Sequence, residues 1–166
     1  MEFELKSLSR EAIPDALAKA ERYRLIEEPS QAESICLDIL RIDPVHQAAL
    51  VTLLLALTDQ FGIEATPGRA REVLGRIQGE YERAYYAGII CERSARARMR
   101  QPLPSGRFRV YEEFIDAMAW YEKAEALRPP GNDDVILRWN TCARTLMRHS
   151  DLRPQREEQL EPVLDD

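Results

Sequence analysis

Two stretches of this chain end in nearly the same way, Ala32-x3-Cys36-x2-Ile39-x4-Pro44 and Ala117-x3-Tyr121-x2-Ala124-x4-Pro129. A small residue, then side chains four and three positions further on, then a proline, describes the second helix of a helical hairpin. The small residue admits a neighbouring helix, the next two fill the gap between hairpins, and proline stops the helix. Hairpins repeated in this way stack into an extended scaffold and do not wrap around a catalytic pocket. The pattern thus points to an architecture and to protein binding as a class of function, without naming a partner.

Helical periodicity runs through the whole chain. Glycine is scarce, with 7 in 166 residues, and no segment alternates apolar and polar residues long enough for a strand. Ser9 and Pro14 open a first helix that runs to about Ile26, with Ile13, Leu17, Ala20 and Tyr23 on one face. Ser30 is read as the N-cap of a second helix, Gln31 to Ile42, stopped at Asp43-Pro44. The third, from Pro44 or Val45 to Phe61, is apolar on so wide an arc that it should be buried between neighbours. Thr66-Pro67 opens a short fourth helix to Ile77 or Gln78, and Gly79 separates it from a long fifth, Glu80 to Arg100. The fifth has a seam of small residues, Ala84, Ala87, Gly88, Cys91 and Ala95, that lets another helix approach closely. A sixth spans Phe108 to Leu127, and a seventh, capped by Asn132 or Asp133, runs to Arg148. Residues 1–12 read as a lead-in, 13–149 as one helical repeat domain, and 150–166 as an acidic, flexible tail.

Composition narrows the function classes. Apolar residues make up 45% and charged residues 31%, an ordinary globular balance, and the net charge of −6 argues against a nucleic-acid or acidic-membrane partner. No apolar run is long enough to cross a membrane, and the start of the chain lacks the apolar core of a secretion signal. Three cysteines without paired spacing suit a reducing compartment, so the cytoplasm is expected. No phosphate loop, nucleophile elbow or metal-ligand spacing is present. The chain is therefore read as a non-enzyme with no cofactor and no metal, and Cys36, Cys91 and Cys142 as inert packing residues.

The hairpins resemble the tetratricopeptide repeat family, whose unit is a helix–turn–helix of about 34 residues. The match falls on Ala20, Tyr23, Ala32 and Pro44, more loosely on Cys36, then on Leu50, Leu53 and Leu57, and finally on Gly88, Ala117, Tyr121, Ala124 and Pro129. It covers about three degenerate repeats and a capping helix, from Ile13 to Arg148. The chain departs from the family at Cys36, where an aromatic is usual, and at Ile39 and Leu54, where small residues are usual. The third unit has 29 positions from Gly88 to Ala117, against 12 from Ala20 to Ala32, so both of its helices should be long. The resemblance implies an all-α superhelix of seven antiparallel helices with the first helix of each repeat lining a concave groove. By position the groove residues are Glu21 and Arg24, then Thr52, Leu55 and Asp59, then Tyr85, Tyr86, Ile89 and Arg93, then Asn140 and Arg144. For Tyr85, Tyr86 and Ile89, packing against the sixth helix is an equally good reading. The Lys and Asn residues with which some family members clamp a C-terminal carboxylate are absent.

One local cluster stands out. Arg93, Arg96, Arg98, Arg100, Arg107 and Arg109 fall within 17 residues that contain no Asp or Glu. Cations suit the C-terminal end of a helix, so a solvated helix end accounts for them. The functional reading is an anion-binding tip of Arg96, Arg100, Arg107 and Arg109. The acidic tail, with Glu157, Glu158, Glu161, Asp165 and Asp166, is a candidate internal ligand for that tip. Three functions are consistent with these features: an adaptor that holds a peptide or helix in its groove, a self-associating homodimeric module, and a nucleic-acid binder working through the arginines.

Overall fold

The computed structural model describes residues 2–101 and 106–154. Among them the chain forms seven α-helices: α1 (Ile13–Leu25), α2 (Pro29–Ile42), α3 (Gln47–Asp59), α4 (Pro67–Leu74), α5 (Glu80–Met99), α6 (Arg107–Leu127) and α7 (Asp134–Arg148). Single 3-10 turns at Arg10–Ala12 and Ser150–Leu152 flank them. The described residues contain no strand, only an isolated bridge between Phe61 and Ala65. None of the helices is long and apolar enough to cross a membrane.

Local chemistry sets the boundaries, and several differ from the expected ones. Thr66 caps α4 as anticipated, its hydroxyl accepting from the Arg69 N–H at 3.4 Å, with Pro67 following. Ser30, expected as a cap, lies inside α2, because Pro29 already occupies its first turn. The start of α3 falls three residues after Pro44, where the His46 imidazole accepts from the Ala49 N–H at 3.2 Å. A histidine in the cap position was not anticipated. The last expected turn of α4 is replaced by Gly75 to Gly79, and Gly79 takes φ +90°, a conformation that favours glycine.

Each helix packs on the one before it and the one after it, and α3 also packs on both α1 and α5. That position explains the wide apolar arc of α3: eight of its thirteen residues, from Ala49 to Thr58, are buried. The interior has two parts. Apolar residues of α1 to α4, with Ile77, Ile90 and Ala97, close the first. Residues of α5, α6 and α7 close the second, around Phe114 and Tyr121. Leu55 and Tyr86 pack against both and join them.

The longest pair, α5 and α6, have 20 and 21 residues, as the spacing of the third unit requires. They meet at Gly88. A β-carbon at that position would lie 2.4 Å from Cε1 of Tyr121, whose ring is fully buried. Only glycine lets the ring seat there. Beyond α7, Leu152 is buried against the second core, so the folded region extends past the boundary expected at residue 149. The remainder of the expected tail, 155–166, and its proposed docking on the arginines lie outside the described residues.

Candidate functional site

Asp59, the last residue of α3, is held between two helices far from it in sequence. Its carboxylate accepts from Arg24 Nε of α1 at 2.8 Å and from Arg93 Nη1 of α5 at 3.1 Å. All three side chains are partly buried. They line a cleft of about 720 Å³ that also takes in Arg96 and Arg100. Arg100 has no carboxylate partner among the described residues, whereas Glu27 and Glu64 stand on the cleft wall.

The end of α3 is fixed from behind. Gln60 is buried, and its amide donates to Ala56 O at 3.0 Å and to Glu33 Oε2 of α2 at 2.8 Å. Glu33 in turn accepts from Arg69 of α4. Four helices thereby set the position of Asp59, and the guanidinium N–H groups not used on it remain available on the cleft wall. Guanidinium groups in such a setting bind carboxylates and carbonyl oxygens.

Beside this cleft lies a polar cluster that sequence reasoning missed. Glu92 of α5 is 1% exposed. It accepts from Tyr121 Oη at 2.7 Å, Arg96 Nε at 3.1 Å and Arg138 Nη1 at 3.4 Å. Burial, reinforced by the Glu92 charge, pushes the Tyr121 phenol far above its ordinary value, so it stays a donor. Burial works against the charge on Arg138, but Glu92 holds it above its usual value all the same. Glu92 sits one turn after Gly88 on the small-residue seam. A carboxylate on an otherwise small and apolar stripe was the available signal.

The expected groove residues do not all meet. Arg24, Asp59 and Arg93 come together. Leu55, Tyr85 and Tyr86 are half-buried; Tyr85 packs edge-on against Tyr86, ring centroids 5.1 Å apart, and tilted against Tyr121 at 6.1 Å. Burial raises Tyr86 to about 12. Thr52 at 4% and Ile89 at 0% exposure belong to the interior instead, because α1 and α5 both pack on α3 and α6 packs on α5. Glu21 is exposed and has no polar partner among the described residues. Asn140 and Arg144 do not join the cleft. Arg138 of α7 reaches Glu92 of α5, and a helix rotates Asn140, two positions on, by about 200° away from it.

The arginine cluster does not form one tip. Arg93 pairs with Asp59, Arg96 with Glu92, Arg98 with Glu113 at 3.0 Å, and Arg107 with Asp151 at 2.9 Å. Arg96 also stands over the Phe114 ring at 5.6 Å. Arg96 and Arg100 reach the cleft, while Arg109 lines a different one with Tyr111 and Ile115. The four expected anion-binding arginines are therefore spread over separate surfaces. Asp59 of α3, Glu113 of α6 and Asp151 of the last 3-10 turn arrive from other elements, which local sequence could not reveal, while Glu92 lies one turn before Arg96 on α5 itself.

The three cysteines are unpaired. Burial raises Cys36 and Cys142 to about 12 and Cys91 to about 11, so none is a ready thiolate at neutral pH. Comparison of the chain with protein-family models, with curated proteins and with solved structures finds no match.

Proposed function

We propose that this protein is a non-catalytic adaptor, built as a tetratricopeptide-like superhelical stack, that holds an extended peptide or a helix of another protein in the cleft formed by α1, α3 and α5. The observation that carries the reading is the Arg24–Asp59–Arg93 cluster. Three alternate helices each bring one side chain to the same wall, as a stack of hairpins with a shared groove requires. The packing of α3 on both α1 and α5 supports the stack. Arg96 and Arg100 extend the cation-rich wall, suited to a segment bearing carboxylates. In this reading the protein works in the cytoplasm, where its free thiols stay reduced.

Affinity capture from native lysate with the full chain tests it, comparing wild type with Arg93→Glu/Arg100→Glu. Both side chains are partly or fully exposed, so the variant should fold, which circular dichroism verifies. We expect the variant to lose the partners that wild type retains. If every partner survives the double charge reversal, the cleft is not the binding site.

A further inference from the structure

A second surface lies on the other side of α5. Successive residues of an α-helix are rotated by about 100°. Arg93, Arg96 and Arg100 therefore share one face of α5, while Ala84 and Ala87 lie nearly opposite. On that opposite side a groove of about 640 Å³ runs between α4 and α6, with α5 as its floor. Ala84 and Ala87 keep the floor low, Leu74 of α4 and the following Gly75 form one wall, and Trp120 and Leu127 of α6 form the other. We propose that this groove is a docking site for an amphipathic helix of a partner protein, with its apolar face inward and acidic residues along its edges.

Three features favour that occupant. The first is apolar area left uncovered: Trp120 is 38% and Leu127 41% exposed, on the wall of a concave groove. The second is spacing. Trp120 and Leu127 are seven residues apart on α6, about two turns or ~10.5 Å. Anchors at i and i+7 of a partner helix laid alongside would match them. The third is charge. Arg71, Arg83 and Lys123 stand around the groove against a single carboxylate, Glu80. None of these three cations is in an ion pair among the described residues, on a chain whose net charge is −6. Lys123 is held over the Trp120 ring at 5.1 Å, which places a positive charge at the apolar wall itself. An acidic-edged helix complements both the floor and the rim, and a flat bilayer would not reach the alanine floor.

The site is independent of the α1, α3 and α5 cleft, so the two proposals fail separately. The test uses the full chain carrying Trp139→Phe, which leaves Trp120 as the sole tryptophan. Two synthetic amphipathic helices serve as probes, with leucines at i, i+4, i+7 and i+11, one flanked by glutamates and the other by lysines. We expect the glutamate-edged peptide to bind, to move Trp120 emission to the blue, and to bind more weakly as salt is raised. Trp120→Ala, and separately Arg83→Glu/Lys123→Glu, should weaken binding about tenfold or more. Because Arg83 and Lys123 are exposed, the thermal melt of Arg83→Glu/Lys123→Glu should stay near wild type, and Arg93→Glu/Arg100→Glu should bind the probe normally. Equal or tighter binding of the lysine-edged peptide would overturn the proposal, as would no binding of either peptide or indifference to the groove variants. Two other occupants are distinguished in the same experiment. A Trp120-dependent dimer in light scattering would assign the groove to a second copy, and a blue shift produced by anionic phosphatidylserine vesicles but not by peptide would assign it to a membrane surface.

Discussion

Helices α1 to α4 and helices α5 to α7 close their interiors with different chemistry. In the first group the core is aliphatic, with Leu50, Leu53, Leu54 and Leu57 of α3 packed on every side. In the second the centre is a phenol, a carboxylate and two guanidinium groups, with Tyr121 seated on Gly88. Aliphatic packing tolerates small shifts of a helix, whereas a buried polar network is satisfied only in one arrangement. The second group should therefore be the more easily broken and the more exact in geometry.

Alkali breaks the comparison most completely. Cys91 and Cys142, with Tyr86 and Tyr121, are carried by α5 to α7, against Cys36 alone in α1 to α4. A thiol held at about 12 when folded, with an ordinary value near 9, gives up its proton on unfolding at any pH between the two. Stability from these groups is whole below pH 9 and declines as pH rises toward 12. Both tryptophans lie on α6 and α7, so their emission reports the second group, while far-ultraviolet circular dichroism reports all helices. The emission change is expected at lower pH than the loss of helix. Coincident transitions would mean that the two groups unfold as one unit.

Single substitutions sharpen the contrast. Leu54→Ala should cost about 3–5 kcal/mol, since the site is enclosed on all sides and collapses little. Leu54→Met, which nearly conserves volume, should cost under about 1.5 kcal/mol. Glu92→Ala should cost about 3 kcal/mol, the low end for a broken buried pair, because Arg96 and Arg138 retain contact with water. Unlike Leu54→Met, the isosteric Glu92→Gln should recover only part of that loss, since it removes the charge that both arginines share. Denaturant titration of the four variants measures this directly. A fully rescued Gln variant would show that shape, not charge, holds the second core.

The expected cost of Gly88→Ala is smaller, about 1–2 kcal/mol net. Overpacking against the Tyr121 ring costs up to about 3 kcal/mol, and the better helix propensity of alanine returns about 1. Gly88 also shows how far the sequence could be read. The small-residue seam predicted close approach of another helix, which is α6, because that requirement is local to one helix face. The seam's charged member, Glu92, was passed over because two of its three partners, Tyr121 and Arg138, lie 29 and 46 positions away. Caps written in Thr and Pro were legible, while the His46 cap was not, since histidine seldom fills that role. For the candidate site, the groove positions implied by the tetratricopeptide resemblance brought out Arg24, Asp59 and Arg93. They placed Thr52, Asn140 and Arg144 on the groove, where the structure does not bring them, and for Ile89 the packing reading holds; each residue's burial or direction depends on how neighbouring helices cover or turn it.

The smallest effect concerns the cleft. Asp59 with Arg24 and Arg93 forms a partly exposed triad, and such pairs contribute about 0.5–1 kcal/mol of coupling each. Double-mutant cycles of Arg24→Ala with Asp59→Ala, and of Arg93→Ala with Asp59→Ala, should give couplings in that range by thermal melts. Couplings of that size should move the melting temperature by only a few degrees. If the couplings proved as large as the loss at Glu92, the triad would be a structural brace between α1, α3 and α5. Its arginines would then have little freedom left for a ligand. Weak coupling is what a binding wall requires: the arginines stay oriented by Asp59 yet can exchange part of that contact for a carboxylate supplied from outside.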